Sequence, residues 1–351
     1  MSANFDLSNL ALKAVCPNNE ILYDDKGKPS IMVKIPKMTY AQLGLGSSQA
    51  THPAFIVNGQ EVDAIYISKY QNIVMDGRAY SLPGEDPKAN ITLDGAISAC
   101  SAKGAGWHLM TRAEWAMLAL WCKANGTQPK GNNNYGKDHA YAHETGVESM
   151  ARDSSNRIQR TATGSGPATW NHNWLPDGIA DLNGNVSEWC AGLRLVDGEI
   201  QIIPNANSMD PEISLAANSA SWKAIATDGS LVDPGTAGSL KYDYLSSKIT
   251  LINGTVTDDG STYRSTGFKD LALASGLTAP ELALALTLVP FESGDVYGGD
   301  TRYVTLAGER VPYCGGYWII SSGAGVFCVN LNLERSIASE YFGFRSAYCD
   351  L

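Results

Sequence analysis

Thr111-Arg112-Ala113-Glu114 is a capping box, with a hydroxyl placed to accept the backbone amide three residues on and a Glu placed to reach back. Trp115, Leu118, Ala119 and Cys122 follow at i, i+3, i+4 and i+7. This spacing dictates an amphipathic helix with one apolar face to bury, ending near Asn125-Gly126. A second helical pattern runs from Thr92 to about Lys103, with Ala96, Ile97, Ala99 and Cys100 apolar and Gly104 just past its end.

Strand patterns surround these helices. Ser30-Ile31-Met32-Val33-Lys34-Ile35 is one. Ala54-Phe55-Ile56-Val57 and the run Glu61 to Tyr70 flank Asn58-Gly59 and predict a hairpin. Residues 126–175 are rich in Gly, Asn, His and Ser and read as a long structured loop region. Residues 196–312 carry many small polar residues, with one helical candidate at Ala279 to Leu286, and read as an insertion. No internal repeat is visible.

The chain has 351 residues and 44% hydrophobic content, enough for a folded core. With 36 acidic against 26 basic residues, and no basic stripe, its net charge of −10 argues against nucleic acid and anionic membrane as partners. The amino terminus lacks the cationic start and apolar run of a signal peptide, and no stretch approaches about eighteen apolar residues. The expectation is cytoplasmic synthesis of a soluble chain, exported by another route or carried out in an assembly. Seven cysteines without a CxxC pair suit reduced thiols.

Three separated motifs occur in order: WHLMTRAEWAMLALW (107–121), DLNGNVSEWC (181–190) and GGYW…GFRSAY (315–348). Together they resemble the formylglycine-generating enzyme family, over roughly residues 55–351 apart from 196–312. The resemblance implies an α+β, C-type-lectin-like fold of the formylglycine-generating-enzyme-like subtype with an inserted segment. An N-terminal β-containing segment, 1–50, precedes the lectin-like domain, 51–351. Fold does not hand over function, so the chemistry is asked residue by residue.

Oxidising members of that family hold copper with two cysteines four residues apart near the carboxyl terminus. Cys314, Cys328 and Cys349 are spaced too widely. Sulfoxide-synthase relatives bind iron through a His-x3-His-x-Glu set; His139, His143 and Glu144 come close, but Thr145 stands where the Glu is expected. A metal-dependent oxidase or oxygenase is therefore the alternative reading. The resemblance also implies a structural calcium site at Asp181, the carbonyls of Gly184 and Val186, and Glu188; the plainer reading is a tight Asn-Gly turn whose carboxylates bond backbone amides. No other cofactor is implied. The Glu-Pro-Asn or Gln-Pro-Asn loop of calcium-dependent sugar-binding lectins is missing.

The terminal region resembles a subgroup of the same family, the variable proteins of diversity-generating retroelements. Gly315-Gly316, Trp318, Ala324-Gly325, Phe327, Leu331, Arg335-Ser336 and Gly343-Phe344-Arg345 match the fixed frame. Between them lie Tyr317, Ile319, Ile320, Ser322, Gly323, Cys328, Leu333, Ile337, Ser339, Tyr341 and Phe342. Each is reachable from an Asn codon by changing adenines; Glu340 is not. If Gly325 to Leu331 is a strand, Phe327, Val329 and Leu331 share one face and Cys328 points to solvent on the other.

These readings predict a ligand- or receptor-binding protein with a diversified surface at 315–348. Trp318 and Phe344 are its buried anchors, and Tyr317, Ile319, Ile337 and Tyr341 share one exposed face. A phage or prophage tail protein recognising a protein or glycan on a bacterial surface, as a homo-oligomer, is the implied setting; neither nucleic acid nor membrane insertion is.

Overall fold

The computed structural model describes residues 6–351. The capping box forms as its residues require: the Glu114 amide donates to Thr111 Oγ1 at 3.1 Å, and the Thr111 amide donates to the Glu114 carboxylate at 2.6 Å. The helix runs Arg112–Asn125 and stops at Gly126, whose φ of +67° suits glycine at a helix end. Trp115, Leu118, Ala119 and Cys122 are all buried.

In chain order the principal elements are α1 (Leu7–Val15), β1 (Asn19–Tyr23), β2 (Pro29–Pro36), β3 (Ala64–Ser68), α2 (Leu93–Ser101), β4 (Trp107–Leu109) and α3 (Arg112–Asn125). A long stretch of turns follows. Then come β5 (Ser187–Trp189), β6 (Leu193–Val196), β7 (Glu199–Ile202), β8 (Lys241–Leu245), β9 (Lys248–Ile252), β10 (Arg264–Gly267), α4 (Glu281–Ala285) and β11 (Thr301–Val304). The chain closes with β12 (Glu309–Gly315), β13 (Gly325–Leu333), β14 (Phe342–Phe344) and β15 (Ser346–Tyr348). The protein is thus mixed α+β and mostly sheet. Among the described residues no helix is long and apolar enough to cross a membrane.

Two sheets carry the architecture. A five-stranded sheet has the order β1-β2-β3-β15-β4, so the last strand lies between strands from the first third of the chain. Residues 32–36 pair with 64–68, and the boundary drawn near residue 50 falls between two strands of one sheet. The second, thirteen-stranded sheet runs β10-β11-β13-β12-β6-β7-β8-β9, with β5 joining β12 to β14 and the short strands Lys223–Ile225, Leu231–Val232 and Ala272–Leu273 completing it. The 196–312 segment therefore supplies β7 to β11 of the sheet that holds the terminal strand β13. Helix α3 shares one core with both sheets: Trp115, Met117 and Leu118 cluster with Ile65 and Ile67 of β3 and Phe327 and Val329 of β13. The Trp115 indole also donates to the Val326 carbonyl at 2.8 Å.

The predicted hairpin is shorter than its sequence: only Ile56–Val57 and Gln60–Glu61 pair across Asn58-Gly59, and Ala64–Ser68 leaves to join the other sheet. The expectation for β13 needs a larger correction. Its side chains alternate as a strand must, yet Val326, Cys328 and Asn330 are as buried as Phe327, Val329 and Leu331. The strand is central, paired with β11 on one side and β12 on the other. Tyr303 of β11 and Tyr313 of β12 both stand opposite Asn330, so their side chains share the face that was expected to be open.

Candidate functional site

The glycines of the terminal frame are required by close approach. Gly315 and Gly316 have φ of +88° and +75°; a Cβ at the first would come within 2.9 Å of the Leu182 carbonyl, and at the second within 2.6 Å of the Ala324 Cβ. This turn carries the chain from β12 to Trp318, whose ring is buried. The Trp318 carbonyl accepts the Tyr135 amide at 2.8 Å, and its own amide donates to Asn185 at 3.3 Å. Phe344, the second anchor, is buried as well.

Above Trp318 an aromatic stack emerges toward solvent. The Tyr341 ring lies 4.8 Å from Trp318, and Tyr317 lies 4.5 Å from Tyr341. Both tyrosines are therefore half-buried packing partners rather than free side chains. Ile319 and Ile337 are exposed at 38% and 37%. Ser322 is exposed, and Ile320, Gly323, Leu333 and Ser339 are partly exposed. Two of the proposed surface residues are not there: Cys328 has no exposed area, and Phe342 is packed between Trp189 at 5.5 Å and Tyr313 at 4.6 Å. Burial pushes the Cys328 thiol well above its usual range, so it is an inert core residue.

The structure adds residues that the sequence pattern could not supply. Tyr263, 59% exposed, precedes β10, and its ring is 6.4 Å from that of Tyr303 on β11. Both belong to the 196–312 segment; β11 pairs in parallel with β13, placing Tyr303 opposite Asn330, and its hydroxyl would stand 3.3 Å from a Cβ at Gly323. Nothing in sequence spacing links residue 303 to residue 323. The surface of this end of the molecule thus carries two tyrosine pairs, Tyr263–Tyr303 and Tyr317–Tyr341, and the exposed Ile319 and Ile337; tyrosine is among the residues enriched at protein recognition surfaces.

The DLNGNVSEW turn brings all four expected positions together around the Gln71 side chain. The Gln71 amide nitrogen, with two protons to donate, lies within hydrogen-bond distance of four oxygens: the carbonyls of Val186 at 2.9 Å, Asp181 at 3.2 Å and Gly184 at 3.5 Å, and Glu188 Oε1 at 3.0 Å. Its orientation is fixed because the Asn185 amide donates to Gln71 Oε1 at 2.9 Å. Asp181 contributes its carbonyl; its carboxylate accepts the Gly164 amide at 2.8 Å. Burial pushes that carboxyl up to about 6. Calcium takes six or more oxygens at about 2.4 Å. As arranged, this ring is spaced for an N–H donor and does not fit the ion.

The His-x3-His segment is not helical. His139 and His143 are exposed in irregular loop, and the Glu144 carboxylate is engaged by Lys130 at 3.0 Å and by Thr169 at 2.6 Å. Among the described residues no three His, Cys, Asp or Glu side chains group as a metal site.

No family model matches this chain, and no curated protein matches it. Among solved structures it is similar to variable protein 1 of Treponema denticola, at a TM-score of 0.37 and 14% identity, over 94% of this chain and 98% of that one. It is similar to PvdO from Pseudomonas aeruginosa, at 0.34 and 12%, over 93% and 97%. The P3c variant of the Major Tropism Determinant gives 0.32 and 11%, over 94% of this chain and 71% of that one.

Proposed function

We propose that this chain is a ligand-binding protein that displays a diversified carboxyl-terminal surface on a rigid C-type-lectin-like scaffold, and that it serves as a receptor-binding component directed at a molecule on a bacterial surface, as in a phage tail. The observation that carries this reading is the separation of roles within 315–348. Gly315, Gly316, Trp318, Ala324, Gly325, Phe327, Phe344 and Arg345 are buried, while Ile319, Ser322 and Ile337 stand exposed between them. A backbone held by buried glycines and aromatics tolerates many side-chain sets at the exposed positions, and selection then finds the set that fits a target.

Burial of Cys328 and Phe342 narrows the proposed surface to Tyr317, Ile319, Ile320, Ser322, Gly323, Leu333, Ile337, Ser339 and Tyr341, enlarged by Tyr263 and Tyr303. The test is to sequence the gene across isolates. Changes concentrated at adenine-bearing codons of the exposed set, beside a reverse transcriptase gene and an imperfect copy of the last part of the coding sequence, are expected. Changes falling evenly on Trp318, Phe344 and the exposed positions would overturn the reading.

A further inference from the structure

Beside residues 322–326 lies a groove of about 600 Å³ that the terminal motif does not account for. Ser322 and Ala324 form one edge, and the loops of 128–141 and 174 form the other. Two aromatic rings stand open in it, Tyr141 at 45% and Trp174 at 39% exposed. Lys130 lies between them, its ammonium 3.3 Å from the centre of the Tyr141 ring and 5.8 Å from that of Trp174.

Trp174 is held there against its own preference. Its φ of +57° is the left-handed conformation, which a bulky residue rarely adopts. A tight turn enforces it: the Trp174 amide donates to the Asn171 carbonyl at 3.1 Å, the Asn171 side chain to the Leu175 carbonyl at 2.7 Å, and the Leu175 amide to Asn173 Oδ1 at 3.0 Å. The indole N–H then donates to the Gln128 carbonyl at 3.2 Å, which fixes the ring in the groove. A strained residue whose large apolar ring is pinned open to water marks a site kept for contact.

We infer that this groove binds a neutral saccharide, stacked on Trp174 and Tyr141. The inference rests on the receptor-binding reading and names the class of target for it. Sugar rings present C–H faces to aromatic rings and hydroxyls to polar neighbours, and this groove offers both, with His139, Ser322 and the backbone of Gly298-Gly299 along its walls. Neutrality follows from the charges. Lys130 pairs with Glu144 at 3.0 Å, Lys123 with Glu292 at 2.8 Å and Asp295 with Lys269 at 2.8 Å. The buried Asp138 and Asp300 carboxylates accept the backbone amides of Gly131, Ala140 and Tyr141 and of Phe327, so neither an unpaired cation nor a free carboxylate among these awaits a charged ligand.

The test uses the full chain and five probes, the pentamers of maltose, cellulose, chitin, mannan and polygalacturonate types, measured by calorimetry. At least one neutral pentamer should bind. Trp174→Ala and Tyr141→Ala, each checked for folding by its melt, should each weaken that binding about tenfold or more. The Ile319→Ala/Ile337→Ala double variant should leave it unchanged, and its failure to bind a cellular target then bears on the receptor-binding face alone. The inference is overturned if no neutral pentamer binds at about 10 mM, or if binding survives both aromatic variants. Preferential binding of polygalacturonate, or of a tryptic casein digest in place of saccharide, also overturns it.

Discussion

The Arg345 guanidinium meets the Glu188 carboxylate through two hydrogen bonds, Nε to Oε2 at 2.5 Å and Nη2 to Oε1 at 2.6 Å, with both side chains removed from water. Arg345 also donates to the carbonyls of Ser68 and Ala180, both at 3.0 Å. One side chain thus ties the terminal GFR segment to the DLNGNVSEW turn and to β3. Removing one member of a buried pair strands the other charge. Arg345→Ala should lower stability by about 3–5 kcal/mol, and Arg345→Lys should fail to restore it because an ammonium cannot make the paired contact. Denaturant melts check this; a loss below about 1 kcal/mol would show that the pair is dispensable.

Gln71 occupies the point on which the oxygens of Asp181, Gly184, Val186 and Glu188 converge. The wild-type melting temperature should therefore be the same with calcium and with chelator. Gln71→Glu replaces the donor by a second carboxylate in a ring of acceptors. That variant should be less stable and should be restored by calcium, since a ligand of the native state stabilises by mass action. A calcium-dependent melt in the wild type would return the site to the ion.

Burial pushes the His52 imidazole down to about 4 and that of His172 down to about 3. Both rings are used as neutral groups: His52 Nδ1 accepts the Ala54 amide at 3.2 Å, and His172 Nδ1 accepts the Ile179 amide at 2.8 Å. The unfolded chain protonates near 6.5, so between there and the folded values it binds more protons than the native state. The stability these rings contribute is complete above pH 6.5 and is lost as pH falls toward 4. Asp300, whose buried carboxyl is held well above its usual range, titrates with the opposite sign. The signature is therefore a difference: the stability gap between wild type and His52→Asn should shrink by about 2–3 kcal/mol between pH 7 and 4.5, at about 1.4 kcal/mol per pH unit. A constant gap would refute the assignment.

Scaffold and surface should separate under substitution. Trp318→Ala and Phe342→Ala remove buried rings and should each cost about 3–5 kcal/mol. Ile319→Ala and Ile337→Ala should stay within about 0.5 kcal/mol. Tyr341→Ala should fall between them, because the ring is wedged against Trp318. Chemical denaturation of the five variants in parallel measures this. Isoleucine variants as damaging as Trp318→Ala would make those side chains core.

All seven cysteines, Cys328 included, are free and buried. A thiol reagent of ordinary size should react with none in the native protein and with all in denaturant. Fast native labelling at Cys328 would restore it to the surface.

Local signals sufficed wherever one element decides its own structure. The capping box and the i, i+3, i+4, i+7 spacing produced α3 because the first turn and one apolar face are written within fourteen residues. The glycine pair at 315–316 and the buried Trp318 and Phe344 were legible for the same reason. The four oxygen-bearing positions at 181–188 converge on Gln71, since a tight turn brings near neighbours together.

What lies opposite those elements was decided only in three dimensions. Period-two alternation tells that Cys328 and Phe327 face opposite ways, but not that β11 and β12 flank the strand and that tyrosines from distant segments cover its second face. Gln71 reaches the 181–188 turn across more than a hundred residues, and Tyr303 reaches Gly323 from the segment read as an insertion. Sequence spacing encodes direction along one element. Burial and ligation depend on which other element arrives there, and that is fixed by sheet order.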